Sequence, residues 1–250
     1  MLATYTLWLR DIVRFHRQRG RLAAALGTPL VFWALLGSGF GRSFTADPRL
    51  RGGYLEYFFP GTIALIVLFT AIFSAMSVID DRQEGFLQGV LASPAPRASI
   101  VLGKVLGGAT IATGQAGLFL LLAPLVGVPL TWGRVPLAVL AIALLAIGIT
   151  ALGFVIAWRF DSTQGFHAVV NLLLMPLWIL SGALFPAAGA AGWLRALMAV
   201  NPMSYGVSAL QWAVLGHSAG PGLGISLAVT AGFGLALLVA GAMTLAPRRR

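Results

Sequence analysis

"DDRQEGFLQGVLASPAPRASIVLGK", residues 80–104, holds three of the chain's seven acidic residues and its only lysine. Long stretches without any charge lie on either side. Those surroundings are greasy: 58% of the 250 residues are hydrophobic and 10% are charged. A soluble domain is about 45–50% apolar and about 25% charged, so the solvent for most of this chain is lipid. The net charge of +10 does not point to nucleic acid. The arginines sit at the ends of apolar runs, where membrane proteins carry their orientation signals. With no cysteine there is no disulfide framework, thiolate nucleophile or cysteine metal site.

A helix crosses about 30 Å of hydrocarbon in about 20 residues. The charge-free intervals predict an all-α integral membrane protein with six transmembrane helices, at residues 22–41, 57–79, 105–127, 135–158, 166–186 and 222–246. Residues 187–220 are apolar but broken. The unbroken piece after Pro202 is about 14 residues, too short to cross comfortably. This region is expected to form a re-entrant or interfacial helical pair before the last span, hinged at Asn201-Pro202, with a packed outer loop as the alternative. Irregular backbone at membrane depth is tolerated only where protein or a watery cavity covers it. With six spans both termini share a side. That side would hold Arg10, Arg14, Arg17, Arg19, Arg21, Arg82, Arg97, Lys104, Arg159 and the Arg248–Arg250 tail. The other would hold Arg42, Arg49, Arg51, Arg134 and Arg195. The excess predicts cytoplasmic termini and a multi-pass protein of the cell (inner or plasma) membrane.

Residues 1–20 are not a span. At helical spacing Leu2, Tyr5, Trp8, Leu9, Ile12, Val13 and His16 share a broad face, with Arg10, Arg14 and Arg17 opposite and Leu7 as the exception. That pattern predicts an N-terminal interfacial amphipathic helix whose arginines face anionic headgroups. A signal peptide fits less well, since the apolar run that follows is too long and lacks a small-residue cleavage site.

Within the charged patch, Asp81 is placed to cap a helix, with Glu84 three residues on in the capping-box position. Phe86, Leu87, Val90 and Leu91 then fall on one stripe, and Ser93-Pro94-Ala95-Pro96 stops the helix. Gly85 and Gly89 each weaken it by about 1 kcal/mol relative to alanine, and so short a helix does not stand alone in water. Its stripe needs the membrane, the protein's own spans or a partner. The acidic residues Asp80, Asp81 and Glu84 disfavour an anionic leaflet, which leaves a protein partner as the economical expectation.

Cap, short helix, Ser-Pro stop and Gly103-Lys104 together resemble the cytoplasmic loop of type-2 ABC transporter permeases. That family exports drugs, polysaccharides and lipo-oligosaccharides. The matching pieces are Asp81-Arg82-Gln83-Glu84-Gly85, Gly85-Phe86-Leu87, Ser93-Pro94 and Gly103-Lys104. Phe59-Pro60-Gly61, Leu180–Pro186 ("LSGALFP") and Asn201-Pro202-Met203-Ser204-Tyr205 follow the family's order. The loop departs from many relatives in lacking a threonine after the glycine and in having Gln88 where a glutamate stands. The resemblance implies a homodimer or paired permease in the bilayer. Each copy would dock a cytosolic ATP-hydrolysing subunit through residues 80–97, the coupling helix. It also implies an outer gate around Asn201, Pro202 and Tyr205.

Little other chemistry is legible. Gly103-Lys104 does not belong to a phosphate-binding loop, since Ala98 stands where the first glycine belongs and Val105 follows the lysine. No cofactor is therefore expected on this chain; ATP and Mg²⁺ would sit on the partner. His16, His167 and His217 are scattered, which predicts no metal site. Asp161 is expected to pair with Arg159 in a turn. Gln115 and Asn171 are expected to bond between spans rather than line a pathway, and Gly107, Gly108, Gly114 and Gly117 suggest close helix approach. An ion-gradient-driven secondary transporter is the alternative, but the span centres lack the carboxylates such proteins carry. A membrane-embedded enzyme would need a cluster of reactive side chains, and none is seen.

Overall fold

A computed structural model of the chain describes residues 2–40, 53–93, 95–128 and 130–245, and of residues 19, 21, 22 and 126 the backbone only. Arg42, Arg49, Arg51, Pro94 and the Arg248–Arg250 tail lie outside the described residues. Helices α1 (Leu2–Arg17), α2 (Arg19–Phe40), α3 (Gly53–Gln83) and α4 (Phe86–Ala92) lead into α5 (Arg97–Leu120). They are followed by α6 (Val135–Ala157), α7 (Thr163–Trp178), α8 (Gly192–Val200), α9 (Pro202–Val214) and α10 (Leu223–Thr244). Among the described residues there is no strand. Among the described residues six helices are long and apolar enough to cross a membrane: α2, α3, α5, α6, α7 with its extension to Ala183, and α10. Lipid dictates this outcome, because a spanning segment without water must satisfy its backbone internally.

The bundle is built around α3. Its 31 residues reach about 46 Å at 1.5 Å per residue, and 23 of them are buried. α2, α5, α6, α7 and α9 pack against it, and α10 lies on α6. Small residues set the approach. A Cβ on Gly108 of α5 would fall 2.3 Å from Ser74 Oγ of α3 and 2.7 Å from Thr150 Cγ2 of α6, so only glycine lets the three helices meet there. Gly107 abuts Asp11 of α1 in the same way, but Gly114 and Gly117 have no described neighbour within 4 Å of a Cβ and play no such part. Thr70 donates to Gln115 and ties α3 to α5, as expected for Gln115. Asn171 instead is exposed on α7.

α7 does not end cleanly. It widens into one π turn over Ile179–Ala183, where Gly182 takes φ +81°, a left-handed conformation that favours glycine. α3 holds this kink: Tyr57 Oη donates to the Gly182 carbonyl at 2.6 Å and Trp178 Nε1 donates to the Gly61 carbonyl at 2.9 Å.

Candidate functional site

The charged patch folds differently from its capping-box reading. α3 runs on through Asp81 to Gln83, so Asp81 caps nothing. The chain instead turns at Gly85, with φ +75°, and α4 starts without a side-chain cap. Ser93 closes it, with Oγ donating to the Val90 carbonyl at 2.6 Å. Lys104 does not start its helix, since α5 begins seven residues earlier at Arg97 and carries the lysine inward.

These shifts bring four elements to one point. Asp81 is fully buried. It accepts from Arg10 Nη1 and Nη2 at 3.0 and 2.8 Å, from Arg14 and from Lys104. Lys104 Nζ also lies 2.8 Å from Asp11 Oδ1, and Arg14 Nη2 lies 2.9 Å from Glu84 Oε1. The Arg10 guanidinium sits 3.6 Å above the Phe86 ring. A carboxylate drawn out of water is tolerable only when paired and hydrogen-bonded. Asp81 meets that condition threefold, and its hydrogen bond is the leading cause of a raised Arg10 pKa. Asp11 fares worse: burial pushes its carboxyl above the usual range, against the pull of Lys104, and its Oδ2 has no hydrogen-bond partner among the described residues.

Arg10 and Arg14 of α1 therefore face the chain's own acids, which corrects the headgroup expectation for these two residues. The helix is also turned relative to its sequence reading. Leu7, Asp11 and Phe15 are its buried side, against α5, while Leu2, Tyr5, Leu9 and Val13 face outward. Leu7, the exception in the pattern, is the anchor.

The apolar stripe of α4 is mostly consumed within the protein. Leu87 belongs to the core, and Phe86, Val90 and Leu91 pack partly against it. Gln88, Gly89, Ala92 and Ser93 remain exposed. This corrects the expectation that a partner takes the whole stripe: Leu87 is closed off inside the protein, while Phe86, Val90 and Leu91 stay partly exposed. Asp80 is half-buried beside the cluster. Arg82 turns to the next loop. It pairs with Asp161 at 2.8 Å, donates to the Trp158 carbonyl at 2.8 Å and lies 5.1 Å from that ring. Asp161 thus pairs with Arg82 and not with Arg159. Arg10, Asp11, Arg14 and Lys104 were missed as site residues. Their signals were a lone acid in an arginine-rich arm and a lone lysine in an apolar run.

At the other end of α3, Asn201 ends α8 and caps α9, accepting from the Met203 amide at 2.9 Å. Its Nδ2 donates to the Leu177 carbonyl of α7 at 2.6 Å. Pro202 occupies the first turn of α9, and Tyr205 Oη clips that helix to the Ala199 carbonyl at 2.8 Å. Among the described residues no group of three histidines or carboxylates could hold a metal ion.

A model of the family described as ABC-2 type transporter matches residues 3–215. The chain is 25% identical over 210 residues to the transport permease ycf38 of Cyanophora paradoxa, covering 83% of this chain and 72% of that protein. It is 26% identical over 218 residues to nodulation protein J of Rhizobium leguminosarum bv. trifolii, covering 84% and 80%. With the inner membrane transport permease YhhJ of Escherichia coli it shares 27% identity over 176 residues, 70% of this chain but 45% of that protein.

Proposed function

The chain belongs to the ABC-2 type transporter family and is a multi-pass membrane permease; from that premise we propose that it forms, as a dimer, the translocation pathway of an exporter driven by a separate ABC ATPase. ATP and Mg²⁺ would be bound by that subunit, which would grip the loop around α4 from the cytoplasm. This orientation puts both termini on the cytoplasmic side of the cell membrane. The outer gate would lie at α8 and α9, about Asn201, Pro202 and Tyr205.

The observation that carries this reading is the ion-pair knot. A two-turn helix is no lever by itself, but α4 is rooted where α1, α3 and α5 meet on Asp81. A partner closing on its exposed side would move three long helices together. ATP would thereby bias a two-state bundle. Pairing of two copies is supported by Asn171, an amide exposed within the α7 span, because a polar side chain there gains from a protein neighbour that lipid cannot replace.

A photo-crosslinking residue placed at Gln88 is expected to capture an ABC ATPase subunit, identified by mass spectrometry. Glu84→Arg or Gly85→Pro is expected to abolish capture. Capture of the ATPase from position 193 instead, or cargo movement by the purified chain with no ATPase present, would overturn the proposal.

A further inference from the structure

A cavity of about 270 Å³ lies under α8 and α9, against the kink of α7 and the start of α3. Its lining includes Tyr57, about 36 Å along α3 from Asp81 at helical rise, so it is remote from the charged knot. Five hydroxyls line it: Tyr57, Ser181, Ser204, Tyr205 and Ser208. A hydroxyl has one proton to give and two lone pairs to offer, and here every proton is committed inside the chain. Tyr57 donates to the Gly182 carbonyl, Ser181 to Trp178, Ser204 to Leu180 and Tyr205 to Ala199. Ser218 spends its proton on Gln211, so Ser208 donates to Ser218 or to the Pro221 carbonyl. What these oxygens have left for a ligand is lone pairs, and Gln211, also on the lining, adds an amide whose Nε2 makes only a 3.5 Å bond to the Gly182 carbonyl.

Arg195 is the one charged residue on this lining, and it is exposed. Its guanidinium donates to the Ala190 carbonyl at a long 3.3 Å. Acceptors inside and a cation at the edge make a specific demand. The fitting ligand brings hydrogen-bond donors into the cavity and an anion to the guanidinium. A cationic headgroup would meet Arg195 and is disfavoured.

We propose that this cavity binds a small hydroxyl-bearing group carrying one acidic function, of the glycerol-phosphate type. The same chemistry occurs in an anionic lipid headgroup and in a free polyol phosphate. The site is complete within one chain and needs no ATPase, so its test is independent of the transport reading.

The purified full chain in neutral detergent is titrated with radiolabelled glycerol 3-phosphate, with short-chain phosphatidylglycerol and with glycerol. Saturable binding of at least one of the two phosphate-bearing probes is expected. Saturation by the lipid alone assigns the headgroup as the natural form, and saturation by the free phosphate assigns a soluble one. Arg195→Gln is expected to weaken binding about tenfold while leaving any glycerol binding unchanged. Ala199→Trp, which fills the cavity from an exposed position, is expected to abolish it. Both substituted positions are exposed, so folding is checked by circular dichroism and is expected to hold. Failure of both phosphate probes to saturate, or wild-type binding in both variants, overturns the proposal.

Discussion

Lys104 of α5 donates to Asp81 at the end of α3, and the two side chains are 2% and 0% exposed. The only lysine of the chain is thus enclosed between Asp81 and Asp11, which is 2.8 Å away on α1. Burying these charges costs several kcal/mol each, and they are tolerated only together.

Removing one partner is therefore more harmful than removing a matched pair. Lys104→Met is expected to destabilise the protein by about 3–5 kcal/mol, read from unfolding midpoints in detergent. Adding Asp11→Asn to Lys104→Met is expected to recover part of that loss. Additive losses in the double variant would show that the groups do not interact.

Asp11 also sets a pH dependence. Its carboxyl pKa is raised above 3.8, first by burial and against the pull of Lys104. A raised carboxylate contributes stability that is full below the unfolded value and lost as pH rises through the folded one. Asp11→Asn does not titrate, while Lys104, Arg10 and Asp81 face the position in both proteins. The melting temperature of wild type minus that of Asp11→Asn is expected to fall as pH rises from about 4 to about 8. A flat or rising difference contradicts this.

Gly85, just before α4, and Gly89, within it, predict opposite signs. Gly85 has φ +75°, and alanine there is expected to cost about 1–2 kcal/mol. Gly89 is exposed in the helix with nothing within 4 Å of a Cβ, so Gly89→Ala is expected to stabilise α4 by about 1 kcal/mol. Hydrogen-exchange protection of residues 86–92 should fall in the first variant and rise in the second.

Asn171 offers a test of pairing. If two copies meet on this face of α7, Asn171→Leu should shift the purified protein from dimer toward monomer in detergent, read by light scattering. An unchanged dimer places the interface elsewhere.

The arm and the loop show where sequence reading stops. The arginine spacing on α1 was legible, yet headgroups and buried acids satisfy guanidinium groups equally well, so the pattern could not choose between them. Asp81 and Glu84 carried a true capping-box spacing, but the stronger demand was a buried ion pair, and α3 extended to meet it. Asp161 took Arg82 from 79 residues away in preference to the neighbouring Arg159. The five cavity hydroxyls come from α3, the α7 kink and α9, and no local pattern joins them.

What the sequence determined by itself is the set of membrane-crossing helices and the place of the charged loop between them. The reason is local: in hydrocarbon each span must satisfy its own backbone, so about 20 apolar residues in a row admit little besides a helix. Tertiary structure alone decided which charges meet. Lys104 finds Asp11 across 93 residues because Gly103 and Gly107 let α1 lie close on α5, and that approach depends on packing between segments far apart in the chain.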